Sequence, residues 1–203
     1  MPEKEIFLNS GSLKIQGLLN EQPGAKGVVV THPHPLYGGD MYNHVVEAVC
    51  RAYQERDYTC LRFNFRGMGL SEGEYDNGIG EQDDVMAALD HLSALGKKEI
   101  DLAGYSFGAW VNAQGLDKYH HVKRMIMVSP PVNTMDYSFL SYNPRIKLVI
   151  SGSHDDIAGT QGIKERIPVW NPEARLKIID GADHFYGSKT DKLERLIVEF
   201  LDQ

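Results

Sequence analysis

The stretch of sequence that decides the fold is EIDLAGYSFGAWVNAQG, residues 99–115. Its first five residues, 99–103, have the pattern of a short buried strand, and residues 109–115 have that of a helix. Between them lies GYSFG, residues 104–108, which fits the pattern G-x-S-x-G. A turn this tight strains the serine backbone, and the two flanking glycines remove Cβ atoms that would clash. The stretch therefore predicts a serine hydroxyl raised at the end of a strand, with the N–H of Phe107 directed to the same pocket.

The rest of the chain continues the alternation of strands and helices. Alternating residues at 5–8 and 13–19 predict an opening β-hairpin. We predict later strands at 27–31, 59–64, 99–103, 124–128, 146–150 and 176–179, and helices at 41–55, 81–95, 109–115, 161–167 and 190–201. This order predicts one α/β domain over residues 1–203, with a mixed, mostly parallel sheet and helices on both faces. Functional residues are then expected beyond the carboxyl ends of the strands.

Composition excludes several classes of function. The 203 residues carry a formal charge of −7, whereas a nucleic-acid partner calls for a basic face. The two cysteines, Cys50 and Cys60, are too few for a disulfide framework and fit small buried residues. No run approaches the roughly 20 apolar residues of a membrane span, and the charged start MPEKE is unlike a signal peptide. We expect a soluble, cytoplasmic protein with no nucleic-acid or membrane partner.

A serine hydroxyl is a weak nucleophile, so Ser106 needs a histidine base and an acid that orients the base. Where G-x-S-x-G carries this chemistry, the chain order is serine, acid, histidine, so both partners are expected downstream and just after strands. Two segments fit this order, GSHDD at 152–156 and GADHF at 181–185. His184 is the histidine with the expected order and position. Asp155 and its neighbour Asp156 both remain candidates for the acid at this point.

Five separate segments together resemble the α/β-hydrolase superfamily. They are HPHPLYGG at 32–39, LRFNFRGMGLSEG at 61–73, GYSFG at 104–108, GSHDD at 152–156 and GADHF at 181–185. In particular, the segments resemble its small lidless members near the dienelactone-hydrolase-like group. The resemblance implies the α/β-hydrolase fold, with Asp155 as the acid and His184 as the base. Dienelactone-type members have a cysteine nucleophile where this chain has Ser106, so their chemistry is not carried over.

An acyl-transfer site also needs donors for the oxyanion, each worth about 3–4 kcal/mol in enzymes where one was removed. One donor is the backbone N–H of Phe107. In the family the second lies in a loop that begins His-Gly-x, where the residue after the glycine donates. This chain has Pro33 in place of that glycine, and Pro35 follows. Because proline has no N–H, the resemblance points to the backbone N–H of His34.

The neighbouring side chain of His32 has two interpretations. We prefer a hydrogen bond that holds the 32–35 loop in shape to a catalytic role. Metal binding by His32 and His34 is a further alternative, but no third ligand has a suitable spacing. The sequence therefore predicts neither a metal nor a cofactor.

The connection 129–145 is too short for a cap domain and predicts a loop or one turn of helix. Without a cap the pocket is expected to be shallow and accessible, with Tyr37, Tyr105, Phe107 and Tyr186 as candidate lining residues. We predict a carboxylesterase or thioesterase that acts on small, short-chain acyl groups through an acyl-enzyme. Amide, peptide or lactone hydrolysis, acyl transfer with the same triad, and a non-catalytic ligand-binding role remain alternatives. The hydrophobic 129–145 segment is also a candidate for a homodimer contact.

Overall fold

The centre of the fold is an eight-stranded sheet, described in a computed structural model that covers residues 2–203. The strands are β1 (Lys4–Ser10), β2 (Leu13–Asn20), β3 (Lys26–Thr31), β4 (Thr59–Phe63), β5 (Glu99–Tyr105), β6 (Val122–Val128), β7 (Ile146–Gly152) and β8 (Arg175–Ile179). The helices are α1 (His44–Gln54), α2 (Gly80–Ala94), α3 (Phe107–Gly115), α4 (Thr160–Trp170) and α5 (Thr190–Leu201). None of the helices in residues 2–203 combines the length and the apolar character needed to cross a bilayer.

The strand order places a crevice at the carboxyl ends of the central strands. The order is β1-β2-β4-β3-β5-β6-β7-β8. The pairs β1–β2 and β2–β4 are antiparallel, and all later pairs are parallel. After β3 the chain turns to β4 on one side, whereas after β5 it continues to β6 on the other. Such a reversal leaves a crevice beyond the carboxyl ends of β3 and β5. This architecture confirms the predicted α/β-hydrolase fold with an N-terminal hairpin.

The two faces of the sheet carry separate apolar cores. Successive side chains of a strand point to opposite faces. In β3, Val28 and Val30 therefore pack against the core under α1 and α5, and Val29 packs in the core under α2, α3 and α4. Cys50 and Cys60 are buried free thiols in the first of these cores, as predicted. Because helices pack on both faces, the carboxyl ends of β3 and β5 are held in place at the crevice.

Three segments differ from or refine the sequence prediction. Helix α4 runs to Trp170 rather than ending at residue 167, although Pro168 lies inside it. Trp170 is fully buried, so tertiary packing holds the last turn despite the N–H that Pro168 lacks. Strand β5 extends through Tyr105 and α3 begins at Phe107, which shortens the predicted turn to one residue. Residues 129–145 contain neither helix nor strand, which confirms that the connection forms no cap.

Candidate active site

Ser106 is the single residue between β5 and α3. Its backbone has φ 53° and ψ −119°, a region that non-glycine residues rarely adopt. Such a conformation stores on the order of 1–3 kcal/mol and persists only where the surroundings enforce it. The Ser106 N–H donates to the carbonyl of Val128 at 2.9 Å, which ties the turn to the neighbouring strand β6. The predicted strained serine backbone is confirmed.

The two glycines of the turn allow the close packing that enforces this strain. A Cβ on Gly104 would lie 2.5 Å from Asn112 Nδ2, and one on Gly108 would lie 2.5 Å from Thr31 Oγ1. Real Cβ atoms do not approach other heavy atoms so closely. Gly104 therefore lets α3 fold back on β5, and Gly108 lets the first turn of α3 rest against the end of β3.

The structure brings Ser106, His184 and Asp155 together in one hydrogen-bonded chain. Ser106 Oγ lies 2.9 Å from His184 Nε2. His184 Nδ1 lies 3.0 Å from each carboxylate oxygen of Asp155. Asp155 follows β7, His184 follows β8, and all three side chains are buried. The parallel sheet thus gathers, at one edge, groups that lie far apart in the sequence.

The carboxylate determines which nitrogen of His184 carries the proton. An ionised carboxylate only accepts hydrogen bonds, so His184 Nδ1–H donates to Asp155. The lone pair of Nε2 then faces Ser106 Oγ, whose O–H donates to it. This is the arrangement in which a histidine can remove the proton of a serine hydroxyl.

Asp155 is held in its ionised form by four groups. Burial by itself raises the pKa of this carboxyl, but hydrogen bonds and the charge of His184 outweigh burial and lower it. Besides His184, the donors are the amides of Ile157 at 3.0 Å and Ala158 at 2.7 Å, and the Ser129 hydroxyl at 2.7 Å. The adjacent Asp156 is exposed, so of the two candidate acids it is Asp155 that contacts His184.

Sequence reasoning missed the side chains that support the acid. Ser129 donates its one O–H to Asp155, so the Tyr186 hydroxyl, 2.8 Å away, donates to Ser129 Oγ. Tyr186 was predicted to line the pocket; that prediction is wrong, because the ring is fully buried behind the acid. The signal for Ser129 was present in the sequence, since it is a polar residue directly after a buried strand. The Tyr105 hydroxyl supports the base, because it donates a hydrogen bond to the backbone carbonyl of His184 at 2.8 Å.

The backbone N–H groups predicted to hold an oxyanion lie at the same edge. Phe107 is the first residue of α3, where an N–H has no acceptor within the helix. In the turn 34–39, the amides of Leu36, Tyr37, Gly38 and Gly39 donate to atoms of His34 or Pro35. Pro33 and Pro35 have no N–H. Among residues 33–39, the backbone N–H of His34 is therefore the one that takes part in none of these bonds. The assignment of His34 and Phe107 as donors stays a prediction.

The side chain of His32 holds the loop, as predicted. Its Nδ1 lies 2.6 Å from the Pro33 carbonyl, and its Nε2 accepts from the Phe65 amide at 3.0 Å. The ring is fully buried, and burial lowers its pKa to about 4, so His32 is uncharged at neutral pH. Both ring nitrogens are in use. Within residues 2–203, no group of three or more potential ligands is placed to hold a metal ion.

Ser106 and His184 open into a pocket of about 710 Å³. This volume suits a small organic ligand, for which pockets are typically about 300–1,000 Å³. Besides Ser106 and His184 it is lined by Pro33, His34, Tyr37, Gly38, Gly39, Asn43, Tyr105, Phe107, Pro131, Thr134, Met135, Ile157 and Phe185. The predicted lining by Tyr37, Tyr105 and Phe107 is confirmed, and Phe185 takes the place expected of its neighbour. Pro131 and Met135 come from the 129–145 loop, which forms a wall rather than a cap.

Comparison with known proteins gives a consistent result. Residues 28–195 match the model of the alpha/beta hydrolase family. An uncharacterized protein of Rickettsia prowazekii is 36% identical over an alignment that covers 97% of this chain and 88% of that protein. The match extends over nearly the whole of both chains.

Two solved structures show the similarity of fold. An alpha-beta serine hydrolase homologue from Coxiella burnetii is 30% identical, with a TM-score of 0.91 over 99% of this chain and 98% of that one. A serine hydrolase without a lid from Xanthomonas campestris is 28% identical, with a TM-score of 0.88 over 97% of this chain and 92% of that one.

Proposed function

The chain belongs to the alpha/beta hydrolase family, and from that premise we propose that it is a serine hydrolase of ester or thioester bonds in small, short-chain acyl substrates. The observation that carries the proposal is the hydrogen-bonded chain of Ser106, His184 and Asp155. It lies at an accessible pocket whose size suits a small substrate. Hydroxyl, imidazole and carboxylate in this order are the groups that acyl transfer to serine requires.

In the proposed first step, Ser106 Oγ attacks the substrate carbonyl while His184 Nε2 takes the hydroxyl proton. The carbonyl oxygen becomes negative and accepts hydrogen bonds from the N–H groups of His34 and Phe107. Asp155 stabilises the imidazolium that forms. His184 then gives its proton to the leaving alcohol or thiol, and the acyl group remains on Ser106.

The second step reverses the roles with water as the nucleophile. His184 takes a proton from a water molecule, which attacks the carbonyl of the acyl-enzyme. The same two N–H groups hold the second oxyanion. Its collapse returns the proton to Ser106 Oγ and releases a carboxylic acid, so the enzyme is regenerated and one water is consumed.

The test combines covalent labelling with turnover. We expect a fluorophosphonate probe to label Ser106, and we expect the wild type to hydrolyse 4-nitrophenyl butyrate. Ser106→Ala should abolish labelling and lower kcat by at least about 1,000-fold, because it removes the nucleophile. Ser93→Ala, which changes a serine on α2, is the matched control and should behave as wild type. Full hydrolysis by Ser106→Ala would refute the proposal.

Matched substrates test which bond the enzyme cleaves, ester or thioester, and which acyl length it prefers. The wild type should be compared on butyrate esters and butyryl thioesters, and then along an acyl series from acetate to octanoate. A maximum of kcat/KM at short chains supports the proposed substrate class, and a steady rise to octanoate contradicts it.

We also assign the protein to the cytoplasm, with a small molecule rather than a nucleic acid or a membrane as its partner. Free, buried Cys50 and Cys60 support a reducing compartment, and the charge of −7 opposes nucleic-acid binding. Cell fractionation with an antibody to the protein tests the assignment.

A further inference from the structure

The wall of the pocket beside Ser106 consists of apolar and uncharged polar side chains among residues 2–203. In the part of the chain that the structure describes, residues 2–203, its lining contains no Asp, Glu, Lys or Arg. Apart from Ser106 and His184, the polar side chains are those of His34, Tyr37, Asn43, Thr134 and Tyr105, whose hydroxyl donates to the His184 carbonyl. A ligand in this pocket would therefore find hydrogen-bonding groups but no permanent ionic partner.

His34, the one lining residue able to become a cation besides His184, is held neutral. Its ring packs against the rings of Phe107, Tyr37 and Tyr75, with centroid distances of 4.6, 4.8 and 5.2 Å. Burial lowers its pKa below the ordinary histidine value. Its Nδ1 accepts a hydrogen bond from the Leu36 amide, which requires an unprotonated nitrogen. At neutral pH the His34 ring therefore offers an anion no positive charge.

The charged residues that adjoin the lining in the chain are all acidic. They are Asp40 after Gly39, Asp136 after Met135, Asp156 before Ile157 and Asp183 before His184. None of the four forms an ion pair with any described residue. No lysine or arginine is adjacent to a lining residue. An anion in the pocket therefore finds no positively charged side chain among the described lining residues or their neighbours in the chain.

We propose that the pocket selects uncharged acyl groups and rejects acyl groups that carry a carboxylate. An aliphatic chain gains free energy by burial against Pro131, Met135 and Ile157, in proportion to the apolar area removed from water. A carboxylate buried there would lose hydration without gaining a cationic partner, which is unfavourable. This inference rests on the proposed serine-hydrolase function and names the substrate class of the same site.

Three esters of matched length separate charge from polarity. They are 4-nitrophenyl hexanoate, the methyl 4-nitrophenyl diester of adipic acid and mono-4-nitrophenyl adipate. The first two are neutral, and the third has a carboxylate at the end of the chain. For the wild type we expect kcat/KM on mono-4-nitrophenyl adipate to be at least about 100-fold below that on both neutral esters. Equal kcat/KM on the charged and neutral esters would overturn the inference.

A charge placed in the pocket wall provides the reverse test. Met135→Arg adds a guanidinium on an unbranched side chain, and Met135→Gln is its uncharged control. We expect Met135→Arg to raise kcat/KM on mono-4-nitrophenyl adipate at least about 10-fold over Met135→Gln, because it supplies the missing partner. No difference between the variants, with both folded by circular dichroism, would contradict the inference.

The failures of the two proposals are distinguishable. Hydrolysis of all three esters at similar rates, with fluorophosphonate labelling of Ser106, overturns the selectivity and leaves the hydrolase function standing. Absence of both turnover and labelling overturns the hydrolase function, and the selectivity with it.

Discussion

At the residue scale, the acid of the site depends on a hydroxyl pair behind it. Asp155 accepts a hydrogen bond from Ser129, which in turn accepts one from Tyr186. Both residues have positive φ, 45° at Ser129 and 57° at Tyr186, although neither is glycine. The two loops thus hold uncommon backbone conformations where their hydroxyls converge on the carboxylate. We infer that Ser129 is a positioning residue, which acts on the reaction through Asp155.

Ser129→Ala should lower kcat of ester hydrolysis by about 10-fold and leave KM nearly unchanged. A hydrogen bond to a charged group contributes about 1.5–3 kcal/mol, and part of that stabilises the ion pair formed in the transition state. Each 1.36 kcal/mol corresponds to a tenfold change in rate. Steady-state kinetics on 4-nitrophenyl butyrate measures the two constants separately.

Tyr186→Phe is the matched control for this prediction. It removes a hydroxyl that contacts Ser129 but not Asp155, so kcat should fall by less than about 3-fold. A larger fall in Tyr186→Phe than in Ser129→Ala would contradict the assignment of Ser129 as the positioning residue.

At the element scale, the position of α3 against β3 sets the geometry of the turn. Gly108 lies in the first turn of α3, where a Cβ would approach Thr31 Oγ1 to 2.5 Å and the His32 carbonyl oxygen to 2.7 Å. The same helix begins with Phe107, whose N–H is a predicted oxyanion donor. Any displacement of α3 from β3 therefore moves the donor and the nucleophile together.

Gly108→Ala should destabilise the protein and impair the reaction. Overpacking typically costs about 1–3 kcal/mol, which for a chain of this length lowers Tm by roughly 3–10 °C. Displacement of Phe107 and Ser106 should lower kcat by at least about 10-fold, because small errors of position are costly in catalysis. Thermal unfolding and kinetics on 4-nitrophenyl butyrate measure the two effects.

Gly187→Ala is the control for Gly108→Ala. A Cβ at Gly187 would meet nothing within 4 Å, and Gly187 is not among the residues with positive φ. This variant should keep Tm within about 3 °C of the wild type. Similar Tm values for the two variants would refute the argument that close packing requires Gly108.

At the scale of the whole molecule, the candidate site and the main buried ion-pair network lie at opposite ends of the strands. The candidate site lies beyond the carboxyl ends of the strands. Near the amino ends of β5 and β6, buried Asp101 pairs with Arg124, with a shortest N–O distance of 2.7 Å. Tyr53 on α1 donates to the same carboxylate at 3.1 Å, and Tyr58 contacts Arg124 at 2.7 Å. This network joins a helix to two strands far from Ser106.

Arg124→Met should destabilise the protein by about 3 kcal/mol without changing kcat of the folded enzyme. Removing one partner of a buried ion pair leaves an uncompensated charge, here on Asp101. Urea unfolding measures the free energy, and kinetics at a temperature where the variant is folded measures kcat.

Arg51→Met gives the comparison for an exposed ion pair. Arg51 is half exposed and pairs with Glu194, so its loss should change the free energy of unfolding by less than about 1 kcal/mol. Equal effects of the two substitutions, or a fall in kcat in Arg124→Met, would contradict the division between the two ends of the sheet.

Much of the site could be predicted because its chemistry is local in the sequence. The turn at 104–108 has its own conformational signature, and His184 and Asp155 each follow a strand in the expected order. The pairing of two hydroxyls behind the acid could not be predicted, although Ser129 by itself has a sequence signal as a polar residue directly after a buried strand. Ser129 and Tyr186 are 57 residues apart, and only the packing of their two loops makes them neighbours. For the same reason the sequence does not show which of two neighbouring residues lines the pocket. The structure places Phe185 in the pocket wall instead of Tyr186.

The sequence by itself determined the alternation of strands and helices, the strained turn at Ser106 and the order of acid and base. These depend on side-chain periodicity and backbone sterics, which act over a few residues. The tertiary structure decided that Asp155 rather than Asp156 contacts His184, that His34 has the amide left over in its turn, and that the pocket wall is uncharged. Each of these depends on which loops meet at the carboxyl edge of the sheet, because hydrogen bonds and charges act between groups that are close in space.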